Sequence, residues 1–461
     1  MKNKLFISIY CGLMILLTSC NNYLDVKPKG KIIPETAEDF STIIHYWLDQ
    51  IEKGRDDVIV PNPGVMTTLE MFADDLNATL ASNFGYTSIY VGSAINKNQA
   101  TYKTLYSVIK DCNMIIGNMD DTESDLARTL LGTAWSIRSI CYYNLMQRYC
   151  EPYQPETAKE TLGLPLVDDF DMEAKPARAN LKETAEFIEE GFRKALSYNV
   201  SNEDFIFTSS VTKAYFARFF FWTQNWSNAI TYAKEVLEKY PMLEADEYVE
   251  AINQKQAKAR NVIIRSFTMD DDIGTMSYAT AQADIKSRPV DRNLVDLFAA
   301  TDNDVRRRCN YDSKRIVNKI ITTKLRSEEL CLIIAEAHAH LNQETDALGY
   351  LNQLRSKRIT QDYIAYTIDN LPEVFQQNIK TDATGIPLTK LMSAILCERR
   401  KELFVEGDRW FELKRNGRPE FWVAAKGKKF ITEKYLYTFP IPKADIRLFP
   451  DLLIQNPGYI E

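Results

Sequence analysis

Apolar positions recur at intervals of three and four residues over most of the chain, the period of a helix with one buried face. Thr36-Ala37-Glu38-Asp39-Phe40 opens a helix that runs through Trp47, and Met66 to Leu76 reads as a second, ending in Asp74 and Asp75. Tyr102, Leu105, Tyr106, Ile109, Asn113 and Ile116 mark a longer helix, and Leu126 to Tyr149 mark its partner, which should pack antiparallel to it. Another helix spans Leu181 to Tyr198. Near the C-terminus, Leu388, Leu391, Ile395, Leu403 and Phe404 place one stripe along a helix whose other face carries Glu398, Arg399, Arg400, Lys401, Glu402 and Glu406. Opposite charges three or four residues apart predict ion pairs laced along that face. Gly407 should stop the helix, and Asp408 should cap a short one carrying Trp410, Phe411 and Leu413.

Two segments match each other at an offset of 118 residues. Ala217 and Ala229 are twelve apart, as are Ala335 and Ala347, and Ile230, Ala233 and Val236 align with Leu348, Leu351 and Leu354. Both resemble the tetratricopeptide helix pair, in which small residues let two helices approach closely, and Pro241 ends the first unit. Lys213 and Cys331 stand where that pattern has tryptophan, and about a hundred residues separate the units, so an uninterrupted solenoid is excluded.

The periodicity fails in two places. From Asn77 to Asn98 aliphatics are few, while Asn83, Phe84, Gly85, Tyr86 and Tyr90 gather without helical spacing; a long loop holding aromatics points to function more than to core. Farther on, Asn261 to Phe267 reads as a short strand, Asp270 to Arg288 lacks any period, and Leu294 to Phe298 begins a helix.

At the N-terminus Lys2 and Lys4 precede an apolar run from Leu5 to Leu17, shorter than a membrane span, and Leu17-Thr18-Ser19-Cys20 follows. This resembles a bacterial lipobox, with residues 1–19 as the signal peptide and Cys20 as the acylated first residue. Residues 20–35, punctuated by Pro28 and Gly30, read as a tether. Residues 36–461 then form one domain with parts at 36–240 and 241–461. The whole chain has a formal charge of −7; removing residues 1–19 takes away two lysines and no acid, leaving 54 bases against 63 acids, or −9. No basic stripe exists to displace phosphate counterions, which argues against nucleic acid. Six cysteines follow Cys20 with neither CxxC nor zinc spacing, and they are read as structural, with a disulfide at loop-flanking Cys150 left open.

Catalytic signatures are missing. The three histidines are His45, His338 and His340; the last two sit two apart on a helix and so face different sides, and His338 falls on the core side. There is no nucleophile elbow, phosphate loop or dinucleotide fingerprint. Asp270, Asp271 and Asp272 lack the alternating ligands and terminal Glu of a calcium loop. Neither metal nor cofactor is expected.

The run Glu398-Arg399-Arg400-Lys401-Glu402-Leu403, then Glu406-Gly407-Asp408-Arg409-Trp410 and Leu413-Lys414-Arg415, resembles the C-terminal signature of the SusD/RagB family of Bacteroidetes surface lipoproteins. Pro440-Ile441-Pro442, Ile446 and Gln455-Asn456-Pro457-Gly458-Tyr459 are similar to its closing motifs, Gly163-Leu164-Pro165-Leu166 to an earlier one, and Asp304-Val305-Arg306 to its D-x-R feature. The resemblance implies a mainly α, SusD-like fold: tetratricopeptide-type helix pairs, long irregular insertions and few short strands. It also implies a lipid-anchored, surface-exposed outer-membrane protein that binds a glycan or oligosaccharide and passes it to a SusC-like TonB-dependent transporter. A peptide ligand, a surface glycoside hydrolase and a tetratricopeptide adaptor gripping a partner's peptide are the alternatives.

Sugars present flat C–H faces edged by hydroxyls, so exposed rings flanked by Asn, Asp or Arg are the groups to seek. Trp135, Trp222, Trp226 and Trp410 fall on core patterns. The ligand-binding candidates are therefore Asn77, Asn83, Phe84, Tyr86 and Tyr90 in the first irregular region, and Tyr278 with Arg288 in the second.

Overall fold

The helical stripes fold as helices, and most of the surprises lie in what faces them. The computed structural model describes residues 34, 36–82, 91–98, 101–120, 122–171, 175–252, 254, 259–298, 303–425 and 427–459. Helix α1 (Ala37–Glu52) begins with a reciprocal capping box between Thr36 and Asp39. Helix α2 (Pro63–Phe72) starts earlier than its apolar stripe, because the Asn62 side chain accepts from the Gly64 and Val65 amides and Pro63 occupies the first turn. It also stops short of Leu76, where the chain has become extended and bridges to Val290.

Helix α3 (Thr101–Asn118) packs on α4 (Asp125–Tyr149), and α4 packs in turn on α5 (Leu181–Ser197). With neighbours on several sides, α4 buries nearly every residue from Leu130 to Met146. The Gly163-Leu164-Pro165 segment forms strand β1 (Leu162–Pro165), antiparallel to β2 (Arg178–Asn180). The first repeat unit is α6 (Ser209–Trp222) with α7 (Trp226–Lys239), where Ala217 and Ala229 are fully buried. Phe216 and Phe220 of α6 stack on each other at 4.2 Å and both meet Tyr232 of α7.

Strand β3 (Val262–Arg265) forms as expected, but Asp270 to Arg288 is not irregular. Asp271 accepts from the Ile273 and Gly274 amides and starts helix α8 (Asp272–Lys286). The sequence hides this helix because it buries only Gly274, Ala281 and Ile285, too few apolar positions to trace a stripe. Asp271 is also held by Arg55, whose Nε donates to it at 2.8 Å.

Strand β4 (Lys324–Arg326) pairs with β3 and leads into the second repeat unit, α9 (Ser327–His340) and α10 (Glu344–Ser356), with Ala335 and Ala347 again fully buried. α9 packs against α7, so the two units are neighbours in space despite the insertion between them. His338 is buried, stacks on Tyr350 and shares a hydrogen bond with Gln343. The six described cysteines are unpaired, five of them buried.

The charged face of α11 (Lys390–Glu402) departs most from expectation. Only Lys401 and Glu398 pair within the helix, at 2.5 Å. The other charges turn inward and reach across to different segments. Glu402, with no exposed surface, accepts from Arg326 Nη1 at 2.6 Å, Arg358 Nε at 3.0 Å and Arg306 Nη1 at 3.3 Å. Burial opposes its ionisation, but the three guanidinium groups outweigh that and hold its carboxyl well below the usual range. Arg306 is itself clamped by Asp304 and Glu398, both at 2.6 Å, which gives the D-x-R feature a structural meaning.

Gly407 does adopt a left-handed turn, at φ +77°, although α11 has already ended at Glu402. Asp408 does not cap α12 (Arg409–Arg415); it makes no side-chain capping bond, because its carboxylate accepts from Arg399 Nε at 2.8 Å. The hairpin of β5 (Phe421–Ala425) and β6 (Lys428–Thr432) follows.

Candidate functional site

The segment from Asp75 to Ser82, which opens the first irregular region, runs side by side with the short segment that follows α8, residues 287–291. The Asn77 amide donates to the Pro289 carbonyl at 2.8 Å, the Asp291 amide to the Asp75 carbonyl at 2.7 Å, and the Ser82 amide to the Ser287 carbonyl at 2.8 Å. Leu76 and Val290 complete an antiparallel bridge. Against this double segment stands the β5–β6 hairpin, and between them opens a cleft of about 470 Å³.

The floor is charged and already paired. Arg288 is 2% exposed and its Nη1 donates to the Met71 carbonyl at 2.8 Å. Asp74 accepts from Arg409 Nε at 2.7 Å and from Asn378 Nδ2 at 2.8 Å. Burial would raise its pKa, but Arg409 and Arg400 outweigh it and keep the carboxyl well below the ordinary value. Asp75, bound to Arg400 at 2.5 Å, is raised by burial against the pull of that arginine. Both carboxylates therefore serve the fold.

The walls are polar and available. Asn77 is fixed in place, its Oδ1 accepting from the Leu80 amide and its Nδ2 donating to Asp291 at 3.0 Å. The side chains of Asn293 and Thr79 line the cleft with no protein partner among the described residues. Glu420 is exposed, with one oxygen accepting from the Lys434 amide. Neither Asp291 nor Glu420 has an ion-pair partner among the described residues.

At the rim stands Trp422, 59% exposed, with Lys429 Nζ 5.0 Å from its ring centre. It lies opposite Ile431 in the hairpin register, so the two share one face, and Ile431 is 44% exposed. Gly92 makes this arrangement possible: at φ +54°, a Cβ there would come within 3.1 Å of the Ile431 carbonyl oxygen. Val91, next to it, lines the cleft.

Of the sequence candidates, Asn77 and Arg288 come together here. Tyr278 stands apart on α8, stacked on Phe267 at 5.5 Å. Asn83, Phe84, Tyr86 and Tyr90 lie outside the described residues. Trp422, Asn293 and Glu420 were missed. For Trp422 and Glu420 the signal is a hairpin, a stretch from Phe421 to Thr432 that turns at Gly427 and follows Gly417 and Pro419; Asn293 sits in the first turn of a short helix capped by Asp291 and carries no such signal.

A second groove, about 650 Å³, lies at Asn456, Pro457 and Gly458. Its groups are engaged in closing the chain: Asn456 donates to the Tyr149 and Phe439 carbonyls, and Arg418 pairs with Glu151. Among the described residues, no group of three or more His, Cys, Asp or Glu side chains is arranged to hold a metal, and no helix is long and apolar enough to cross a membrane.

Residues 308–459 match the family model described as SusD family, and residues 22–221 match one described as starch-binding associating with outer membrane. No curated protein matches the chain. Among solved structures, a SusD superfamily protein from Bacteroides vulgatus superposes with a TM-score of 0.72 at 19% identity, covering 93% of this chain and 100% of its own. One from Bacteroides thetaiotaomicron gives 0.70 at 17%, covering 92% and 100%. A laminarin-binding SusD-like protein gives 0.61 at 15%, covering 92% and 99%.

Proposed function

Because the chain belongs to the SusD/RagB family, we propose that it is a surface binding protein that captures a neutral glycan in the hairpin cleft and delivers it to a SusC-like TonB-dependent outer-membrane transporter. One observation carries the proposal: an exposed tryptophan ring stands over a cleft whose walls offer the Asn293 amide and Thr79 hydroxyl, and the Asp291 and Glu420 carboxylates that keep lone pairs beyond their hydrogen bonds to Asn77, Asn293 and Lys434. A sugar ring stacks its C–H face on Trp422 while its hydroxyls donate to Asp291 and Glu420 and exchange hydrogen bonds with Asn293 and Thr79. The two unpaired carboxylates favour neutral sugars over uronates or sulfated sugars, since a like charge close by in the cleft is repelled. Binding, not turnover, is the proposed activity, in keeping with the family models that match the chain. The starch-binding description of one family model and the laminarin-binding neighbour support the choice of glycan class. Phe84, Tyr86 and Tyr90 stay in the proposal as rings that precede Val91 along the chain.

Calorimetry with malto- and laminari-oligosaccharides tests this reading. Trp422→Ala should weaken binding of the accepted sugar at least tenfold, about 1.4 kcal/mol, while the melting temperature stays within about a degree, since so exposed a ring contributes little to packing. Unaltered affinity would move the site elsewhere.

The anchor has its own test. Cys20→Ala should leave a folded domain that fractionates with soluble protein, because the thiol that takes the lipid lies beyond the tether. Recovery of that variant in outer membrane from cells lacking the transporter would contradict a single lipid attachment.

A further inference from the structure

A third and smaller space, about 110 Å³, lies within the helical body among α2, α4, α6 and α12. Four of its lining side chains point to a ligand. Arg148 is 4% exposed and has no carboxylate partner among the described residues; its only side-chain hydrogen bond, from Nη1, is to the Asn144 carbonyl one turn earlier, at 3.3 Å. Arg399 Nη1, Arg415 Nη2 and Trp222 Nε1 are buried and donate to no partner among the described residues. These groups are close together: Arg399 and Arg415 lie over the same Phe221 ring at 5.4 and 4.2 Å, and Trp222 and Arg148 both flank Phe411, at 6.3 and 5.8 Å.

We propose that this cavity is a binding site for a small inorganic anion of chloride size. The carboxylates on its wall are already matched: Glu329 by Arg218, Asp408 by Arg399, Glu406 by Arg326 and Lys319, and Glu412 by Arg409. Arg415 is matched by Glu336 at 2.6 Å. Arg148 is left over, a buried cation without an anion, and buried charges are costly unless paired. An anion beside it accepts from the orphaned guanidinium and indole N–H groups at the same time. Two acceptors on this wall have no partner among the described residues, Thr323 Oγ1 and Glu412 Oε1, and neither opposes this: the hydroxyl can donate, and burial pushes the Glu412 carboxyl up to about 7, so its protonated, donating form is accessible near neutrality. The space takes several water-sized species and no sugar ring, which separates it from glycan capture.

Bromide is the probe. Crystals of the full chain grown in sodium bromide should show an anomalous peak in the cavity within hydrogen-bonding distance of Arg148 and Trp222. At fixed ionic strength, the melting temperature in about 0.3 M chloride should exceed that in gluconate, which is too large to enter, by about 2 °C. Arg148→Met should abolish the difference; if that chain does not fold, Trp222→Phe, which removes one N–H, should shrink it. A cavity without a bromide peak overturns the proposal, as does a chloride effect that persists undiminished in the variant.

Discussion

Glu402→Gln should destabilise the protein by about 3–5 kcal/mol, the cost typical of breaking a buried ion network from one side. The substitution nearly preserves shape but removes the charge and turns one acceptor oxygen into an NH2 donor, leaving Arg306, Arg326 and Arg358 packed around a neutral amide that can accept on one side only. Each of these arginines has another carboxylate, Arg306 in Asp304 and Glu398, Arg326 in Glu406, and Arg358 in Glu328, so partial compensation is built in. The desolvation of three guanidinium groups nevertheless outweighs it. A urea titration reads the effect, and an unchanged midpoint would mean that Glu402 is dispensable. The same network sets a pH dependence. Arg306 and Arg326 outweigh burial to hold Glu398 and Glu406 down at about 2, and Glu402 lies well below its ordinary value. Groups with depressed folded-state pKa values contribute stability above their unfolded values, roughly 4.3 for Glu, and lose it as pH falls through the folded ones. The native protein should therefore lose stability steeply between about pH 4.3 and 2.

Trp410→Ala should cost about 3–5 kcal/mol through the cavity it leaves. Trp410 is 1% exposed, stacks on Tyr437 at 4.4 Å and meets the edge of Phe72 at 5.4 Å. These contacts join α12 to α2 and to the chain segment after the hairpin, so collapse around the missing indole is restricted. Its effect on sugar binding should be small under conditions where the variant is folded. A denaturation midpoint equal to that of the native chain would count against the packing described.

The sequence made the helices readable wherever one apolar face met solvent on the other, as in α1, α3 and α5. It misled where burial was polar or sparse. The alternating charges of α11 look like a solvated face, since a single chain does not reveal that Arg306, Arg326 and Arg358 arrive from elsewhere to cover them. α8 escaped notice for the opposite reason, with three buried positions and a mostly exposed surface. The cleft was half legible. Asn77 and Arg288 stood out because they sit where helical period fails, but the pairing of the chain around Asn77 with residues 287–291 depends on backbone hydrogen bonds that carry no side-chain signature. Trp422 was hidden by its short hairpin, whose strands are only five residues each.

Trp422 also supplies the most direct test of glycan capture at the cleft. It is the one tryptophan with an exposed side chain; Trp222 and Trp410 are buried, and Trp47, Trp135 and Trp226 are half-buried. Titrating the native protein with malto- and laminari-oligosaccharides should shift tryptophan emission to the blue as the sugar covers the Trp422 ring, and the shift should vanish in Trp422→Phe. An undiminished shift in that variant, or sugar binding that leaves native emission unchanged, would contradict the placement of the site.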